Sequence, residues 1–253
     1  LLNVAFSGWE DEIQQSETPY GIGFLSAIFQ ADYITVESNG KKVEIDKRKA
    51  LDFEKIEVTR GSIETGTVVR LEGNFENPEQ PVRTYARGFS IPVYVNGDEM
   101  ERPCARDSLA FRETSFGWIH IAGVDGLDQP DLRKASTNTT VFLQDQSVLR
   151  VGRPFGPDSN VVHLDPKQFF GRIPDRDTLI EDSATRAKAE INKYVEATWV
   201  NHLVALKDQM EPREFVERHL EDLRDFGVVH LLNDIGVLPR NALNVLDGYP
   251  VVD

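Results

Sequence analysis

The sequence predicts an α+β fold, and three features carry that reading. Apolar and polar residues alternate through 33–38, 42–46, 55–59 and 67–72, the pattern of half-buried antiparallel strands. Asn39-Gly40 stands between the first two runs; both central residues of a type I′ hairpin turn need φ > 0, which these two residue types accept. Towards the C-terminus the period changes. Ala187, Ile191, Tyr194, Val195, Trp199, Leu203 and Leu206 recur at three- and four-residue steps, one apolar face of a long helix.

Taken in order, the first element is a glycine turn, Gly21-Ile22-Gly23-Phe24, leading into a helical stretch over 24–31. Without Cβ atoms, Gly21 and Gly23 let the backbone take φ > 0 and let a ligand approach closely. The free N–H groups and positive dipole end of the following helix suit a phosphate. An ordinary tight turn into a helix fits the same residues. In the strands that follow, Thr35, Val36, Val43, Ile45, Ile56, Val58, Val68 and Leu71 are expected as core or cross-strand contacts. Asn77-Pro78 interrupts the chain before a helical stretch at 82–89, and a short strand at 91–95 closes on Asn96-Gly97.

A second part, residues 104–183, has strand patterns at 118–122, 140–143 and 147–151. Asp165-Pro166 reads as a helix cap with Pro at the first helical position, and Ile173-Pro174-Asp175-Arg176 leads towards the long helix. A third part, 184–253, adds to that helix a shorter one at 212–226, opened by Pro212 and ended by Gly227, and an apolar stretch at 231–238 stopped by Pro239.

Composition bounds the function. The 253 residues carry a net charge of −14 with 28% charged and 40% hydrophobic residues, the profile of a soluble globular protein. That balance argues against general affinity for nucleic acid or an anionic membrane, since phosphate binding needs clustered Lys and Arg. A single cysteine, Cys104, excludes an internal disulfide and a cysteine-rich zinc site. No apolar run approaches the roughly 20 residues that span a bilayer. A cytoplasmic protein is expected.

Three motifs in sequence order resemble the ATP-binding domain of the ninety-kilodalton heat-shock chaperones, members of the GHKL ATPases. Leu2-Asn3-Val4-Ala5-Phe6-Ser7-Gly8 is similar to the segment before the family's nucleotide lid. Gly21-Ile22-Gly23-Phe24, with Ser26-Ala27, Ala31-Asp32 and Ile34-Thr35-Val36, is similar to its second glycine motif and the helix and strand after it. Gly66-Thr67 falls where the family keeps a Gly-Thr beside the adenine.

The resemblance implies the back part of a GHKL-type α/β sandwich over residues 1–103, an antiparallel sheet with helices on one face. A chaperone-type middle α/β domain over 104–183 and its helical extension over 184–253 would follow. It implies an ATPase that binds ATP with Mg2+ through Gly21, Ile22, Gly23, Phe24 and Thr67, acts on client or partner proteins, and forms a homodimer in the full-length protein. Arg176, with Arg172 behind it, is the candidate for the middle-domain arginine that reaches the terminal phosphate. A guanidinium is permanently charged and grips phosphate oxygens in a fork. Arg176 between Asp175 and Asp177 also fits a surface ion-pair cluster.

The chain departs from the family in two respects. The acidic, Asn-bearing helix and the Asp-x-Gly-x-Gly motif are not in it, so the resemblance places much of the nucleotide site upstream. Thr18, next to Pro19, stands where the family has the first glycine of its second motif.

Other chemistry is thin. The five histidines, His120, His163, His202, His219 and His230, lack metal-ligand spacing. Asp125, Asp128 and Asp131 lack a full calcium-loop pattern, and no serine sits in a nucleophile elbow. Two readings follow: an ATP-driven conformational protein, or a catalytically silent scaffold or protein-interaction module on the same fold.

Overall fold

The computed structural model describes residues 23–126, 136–152, 159–172 and 176–243. The protein is α+β, as the alternation and the helical period require. Its described residues fall into two compact units, divided at Val82–Arg83. The boundary expected after residue 103 therefore lies inside the second unit, and the division falls within a short helix, Glu79–Tyr85.

The first unit is an antiparallel four-stranded sheet in the order β3-β2-β1-β4, formed by β1 (Tyr33–Ser38), β2 (Lys41–Asp46), β3 (Val58–Arg60) and β4 (Thr67–Glu72). The Asn39-Gly40 turn closes β1 on β2 with φ of 49° and 69°, as the dipeptide predicts. β3 is shorter than the pattern at 55–59 suggests. Register places Ile34 opposite Ile45 and Leu71, and Val36 opposite Val43 and Val69. These side chains share one face because strand side chains alternate.

Helix α1 (Gly23–Gln30) packs its Ile28 on that face with Ile34 and Ile45. Full burial of one such side chain contributes about 1.5–3 kcal/mol. Cover is incomplete: Val58, Val69 and Leu71 stay largely exposed, so Val58 and Leu71 make the expected cross-strand pairs, with Val43 and Ile34, without being buried. Helix α2 (Lys47–Leu51) follows β2, capped by Asp46, whose carboxylate accepts from the Arg48 and Lys49 amides.

In the second unit, β7 (Arg112–Thr114), β8 (Gly117–His120), β9 (Thr139–Leu143), β10 (Gln146–Val151) and β11 (Asn160–Leu164) form a mixed sheet in the order β10-β9-β11-β8-β7. Only β9 and β11 run parallel. All five residues of β11 are buried, because this strand is central and covered on both faces. The long helix α4 (Glu181–Gln209) lays Ala187, Ile191, Val195 and Trp199 on the sheet core of Ile119, Ile121, Val141 and Val162.

The far end of α4, Leu203 and Leu206, joins a second cluster with Phe215, Val216 and Leu223 of α5 (Pro212–Asp225) and with Leu232. Gly227, at φ +67°, ends α5. The apolar stretch at 231–238 forms one 3-10 turn, Val229–Leu232, followed by α6 (Arg240–Leu243).

Before the sheet, helix α3 (Glu79–Tyr85) runs into a 3-10 turn, Ala86–Gly88. The strand expected at 91–95 shrinks to β5 (Tyr94–Val95), which pairs with β6 (Asp98–Glu99) across Asn96-Gly97. Asp165-Pro166 makes a turn and no helix: Asp165 Oδ1 accepts from the Lys167 amide at 3.0 Å, and the chain then straightens. No helix among the described residues is long and apolar enough to cross a membrane.

Candidate functional site

The expected nucleotide contacts lie in the first unit as far as the structure describes them. Gly21 and Ile22 lie outside the described residues. Gly23 and Phe24 open α1. Thr67 is the first residue of β4 and pairs with Ser38, its Oγ1 2.9 Å from the Ser38 hydroxyl.

Register puts Thr67 on the same face as Val69, Leu71 and Ile34, the face on which α1 packs. Only Ala31-Asp32 separates α1 from β1, and Asp32 donates its amide to Glu72 at the end of β4. The helix C-terminus therefore sits at the Glu72 end of the sheet. Thr67 thus belongs by register to the sheet face on which Ile28 of α1 packs, and that face stays partly open at Val58, Val69 and Leu71.

The opposite face of this sheet is polar. Glu37 is buried and accepts from the Ser62 amide at 3.0 Å, the Ser62 hydroxyl at 2.9 Å and Arg70 Nη1 at 2.9 Å. Ser62, first through its amide, and Arg70 hold the Glu37 carboxyl down at about 2. This cluster closes the Gly61–Ile63 loop over the sheet, and the alternation of β1 gives no sign that its glutamate would be pinned.

Arg176 lies in the second unit. Its amide donates to Arg172 O at 2.9 Å, while the Arg172 amide donates to Thr178 O at 2.7 Å, so both arginines belong to one tight turn before α4. Arg176 has φ +55°, a strained value for a side-chain-bearing residue. Its Nη1 donates to Gln144 Oε1 at 3.1 Å. Of its expected ion-pair neighbours, Asp175 lies outside the described residues.

Gln144 and the adjacent Asp145 form the β9–β10 turn, with φ of 50° and 64°. Asp145 Oδ2 accepts from the Ser90 amide at 2.9 Å and the Ser90 hydroxyl at 2.7 Å. Its other oxygen faces His163 Nδ1 at 3.7 Å.

His163 is buried on β11, stacked on Phe142 and edge-on to Phe111. Its Nε2 lies 2.8 Å from Cys104 O; a carbonyl only accepts, so the neutral ring carries its proton on Nε2. Burial lowers the His163 pKa, against the opposing pull of Cys104 O and Asp145. Burial likewise raises the Cys104 thiol.

Two cavities occur away from these residues. One, of about 750 Å³, lies among Lys207, Pro212, Arg213, Ile235, Leu238 and Arg240; another, of about 400 Å³, lies among Arg112, Val124, Tyr194, Thr198 and His202. Neither is lined by Thr67 or Arg176. Among the described residues no group of His, Cys, Asp and Glu is arranged to hold a metal ion.

Sequence reasoning missed Gln144, which bonds Arg176, and the Asp145–Ser90 pair beside it in the turn. Three polar residues, Gln144, Asp145 and Gln146, lie between the runs 140–143 and 147–151, and nothing in that pattern says what their side chains reach. No protein-family model matches the chain, and no curated protein matches it.

Proposed function

We propose that this chain is part of an ATP-binding, chaperone-like ATPase of the GHKL type, in which ATP binding and hydrolysis drive domain movement. The observation that carries the reading is the shared sheet face. The glycine turn leads into α1, α1 packs on the face that bears Thr67, and that face keeps exposed apolar residues beside it. A planar base stacks on apolar surface, and its phosphates suit the amide-rich start of a helix.

In this reading the Gly21–Phe24 backbone holds phosphate, Thr67 orients the base, and ATP is bound with Mg2+. Arg176 is the residue assigned to the terminal phosphate, stabilising charge as the phosphoryl group transfers. The protein works as a cytoplasmic homodimer on client or partner proteins.

The test is a calorimetric titration with Mg·ATP of this chain and of one extended upstream of Leu1. Binding by the extended chain supports the reading, and absence of binding by both rejects it. In a chain that hydrolyses ATP, Arg176→Ala lowers kcat by roughly a thousandfold with little change in affinity. Equal loss of both removes the arginine from the transition state.

The second reading is a catalytically silent scaffold or protein-interaction module. Its support is the exposure of Val58, Val69 and Leu71, since apolar side chains gathered on one face suit a partner protein. Absence of nucleotide binding by either chain favours it.

A further inference from the structure

Three non-glycine residues with left-handed backbone meet at one corner of the second unit: Gln144, Asp145 and Arg176. Such conformations are costly for side-chain-bearing residues and persist only where surrounding contacts enforce them. The contacts here are specific. Gln144 accepts from the Arg176 guanidinium, and its neighbour Asp145 accepts twice from Ser90. Ser90 belongs to the stretch that begins the second unit after Val82.

That stretch is held at further points, on the sheet and on residues 102–104. A Cβ on Gly88 would lie 2.4 Å from the Phe142 ring and 2.9 Å from Asp145 O, so the backbone touches the strand that ends in the turn. Arg102 donates to Phe89 O at 2.8 Å, and the Cys104 amide donates to Arg87 O at 2.9 Å. Segment 86–90, the Gln144-Asp145 turn and Arg176 therefore make one connected block. Its two ends are the stretch entering from the unit boundary and the arginine.

We infer that Gln144 is a positioning residue for Arg176, and that Asp145, through Ser90, makes the placement of that arginine depend on the segment leading in from the unit boundary. The inference rests on the reading of Arg176 as the phosphate-facing group. A shift of segment 86–90 pulls on Asp145, rotates the turn, and moves the Gln144 amide that holds the guanidinium. A two-residue turn with both residues left-handed has little slack to absorb the pull.

The experiment reads Arg176 itself by NMR, through its amide exchange and its side-chain Nε–H resonance, in the full chain. Gln144→Asn keeps a residue type that tolerates the left-handed backbone but is one methylene too short to reach. Asp145→Gly keeps the backbone and deletes the carboxylate. Ser90→Ala is a milder third variant that removes only the hydroxyl.

Each is expected to speed Arg176 amide exchange, by roughly two- to tenfold for the loss of a hydrogen bond, and to move the Nε–H resonance. Gln144→Glu, which retains an acceptor at the same reach, restores wild-type protection. Exchange at Ile119, buried in β8, reports whether the fold is intact.

Unchanged Arg176 signals in Gln144→Asn overturn the positioning role. Unchanged signals in both Asp145→Gly and Ser90→Ala overturn the coupling. Mg·ATP added to the wild-type chain and to one extended upstream separates the two levels: with no nucleotide effect in either, the phosphate-facing reading fails while the coupling is judged on the variants alone.

Discussion

The two sheets of this protein are built from similar strand material and buried to very different degrees. In the second unit, β11 is buried at every position and α4 covers the sheet with a continuous stripe from Ala187 to Trp199. In the first unit, Ile34 and Ile45 are buried under a short helix, while Val58, Val69 and Leu71 on the same face remain exposed. Strand alternation thus determines which side chains share a face. What covers that face depends on elements elsewhere in the chain.

The comparison breaks most readily at its best-packed point. Trp199→Ala removes the largest fully buried side chain beneath the second sheet and is expected to cost about 3–5 kcal/mol in urea denaturation. Val69→Ala in the first unit is expected within about 0.5 kcal/mol of wild type. A cost for Val69→Ala near that of Trp199→Ala would mean that the open face is covered in solution.

Glycines sharpen the contrast. Gly117 has φ +131°, and a Cβ there would lie 2.2 Å from the backbone oxygen of His163, so Gly117→Ala is expected to cost about 2–5 kcal/mol. Gly66, at φ +82°, has nothing within 4 Å of its virtual Cβ; Gly66→Ala carries only the backbone penalty, about 1–2 kcal/mol. Thermal denaturation of the two variants ranks them, and equal shifts would contradict the difference in packing.

Acid separates the units by sequence of events. Burial holds the His163 pKa below its unfolded value, so its neutral form is favoured by folding. Its contribution is complete above the unfolded value near 6.5 and fades as pH falls below it. Glu37, held at about 2 against 4.5, contributes fully above 4.5 and loses that contribution as pH falls towards 2. Amide exchange in β8 and β11 is therefore expected to quicken at a higher pH than exchange in β1 and β4. His163→Gln removes the first effect and Glu37→Gln the second; if neither variant changes its own unit's pH response, the assignment fails.

The smallest expected effect is at the surface. Lys207 pairs with Asp234 at 2.5 Å, but the Asp234 side chain is 70% exposed. Asp234→Ala is expected to leave the denaturation midpoint within experimental error. A clear loss would tie this ion pair to the packing between α4 and the Ile235 stretch.

The elements themselves were largely legible. β1 and β4 have the predicted bounds, Asn39-Gly40 turns as its residue types demand, and the α4 stripe is buried where its period says. Strands written mainly by neighbours shrank. β3 begins only at Val58, where it finds Val43 across the ladder, and the run at 91–95 pairs over two residues because β6 offers no more. Of the candidate site, the sequence supplied residue names but no contacts. Thr67 and Arg176 could be named from motifs, whereas Gln144, Asp145 and Ser90 meet through contacts 55 residues apart for Ser90 and Asp145, beyond the reach of local pattern.

The parallel pairing of β9 with β11 has a consequence for how the molecule assembles. The β1–β2 hairpin can zip outward from the Asn39-Gly40 turn, since its strands are adjacent in the chain and need only a small loop to close. β9 and β11 meet only after β10 has folded away and a longer loop has closed, and the Trp199 indole then reaches Ser136 O across 63 residues. Closing longer loops before contacts repay the lost entropy slows a search. In refolding, the β1–β2 hairpin should therefore gain protection first. Trp199 fluorescence should report the slower phase, in which the sheet of the second unit acquires its helix.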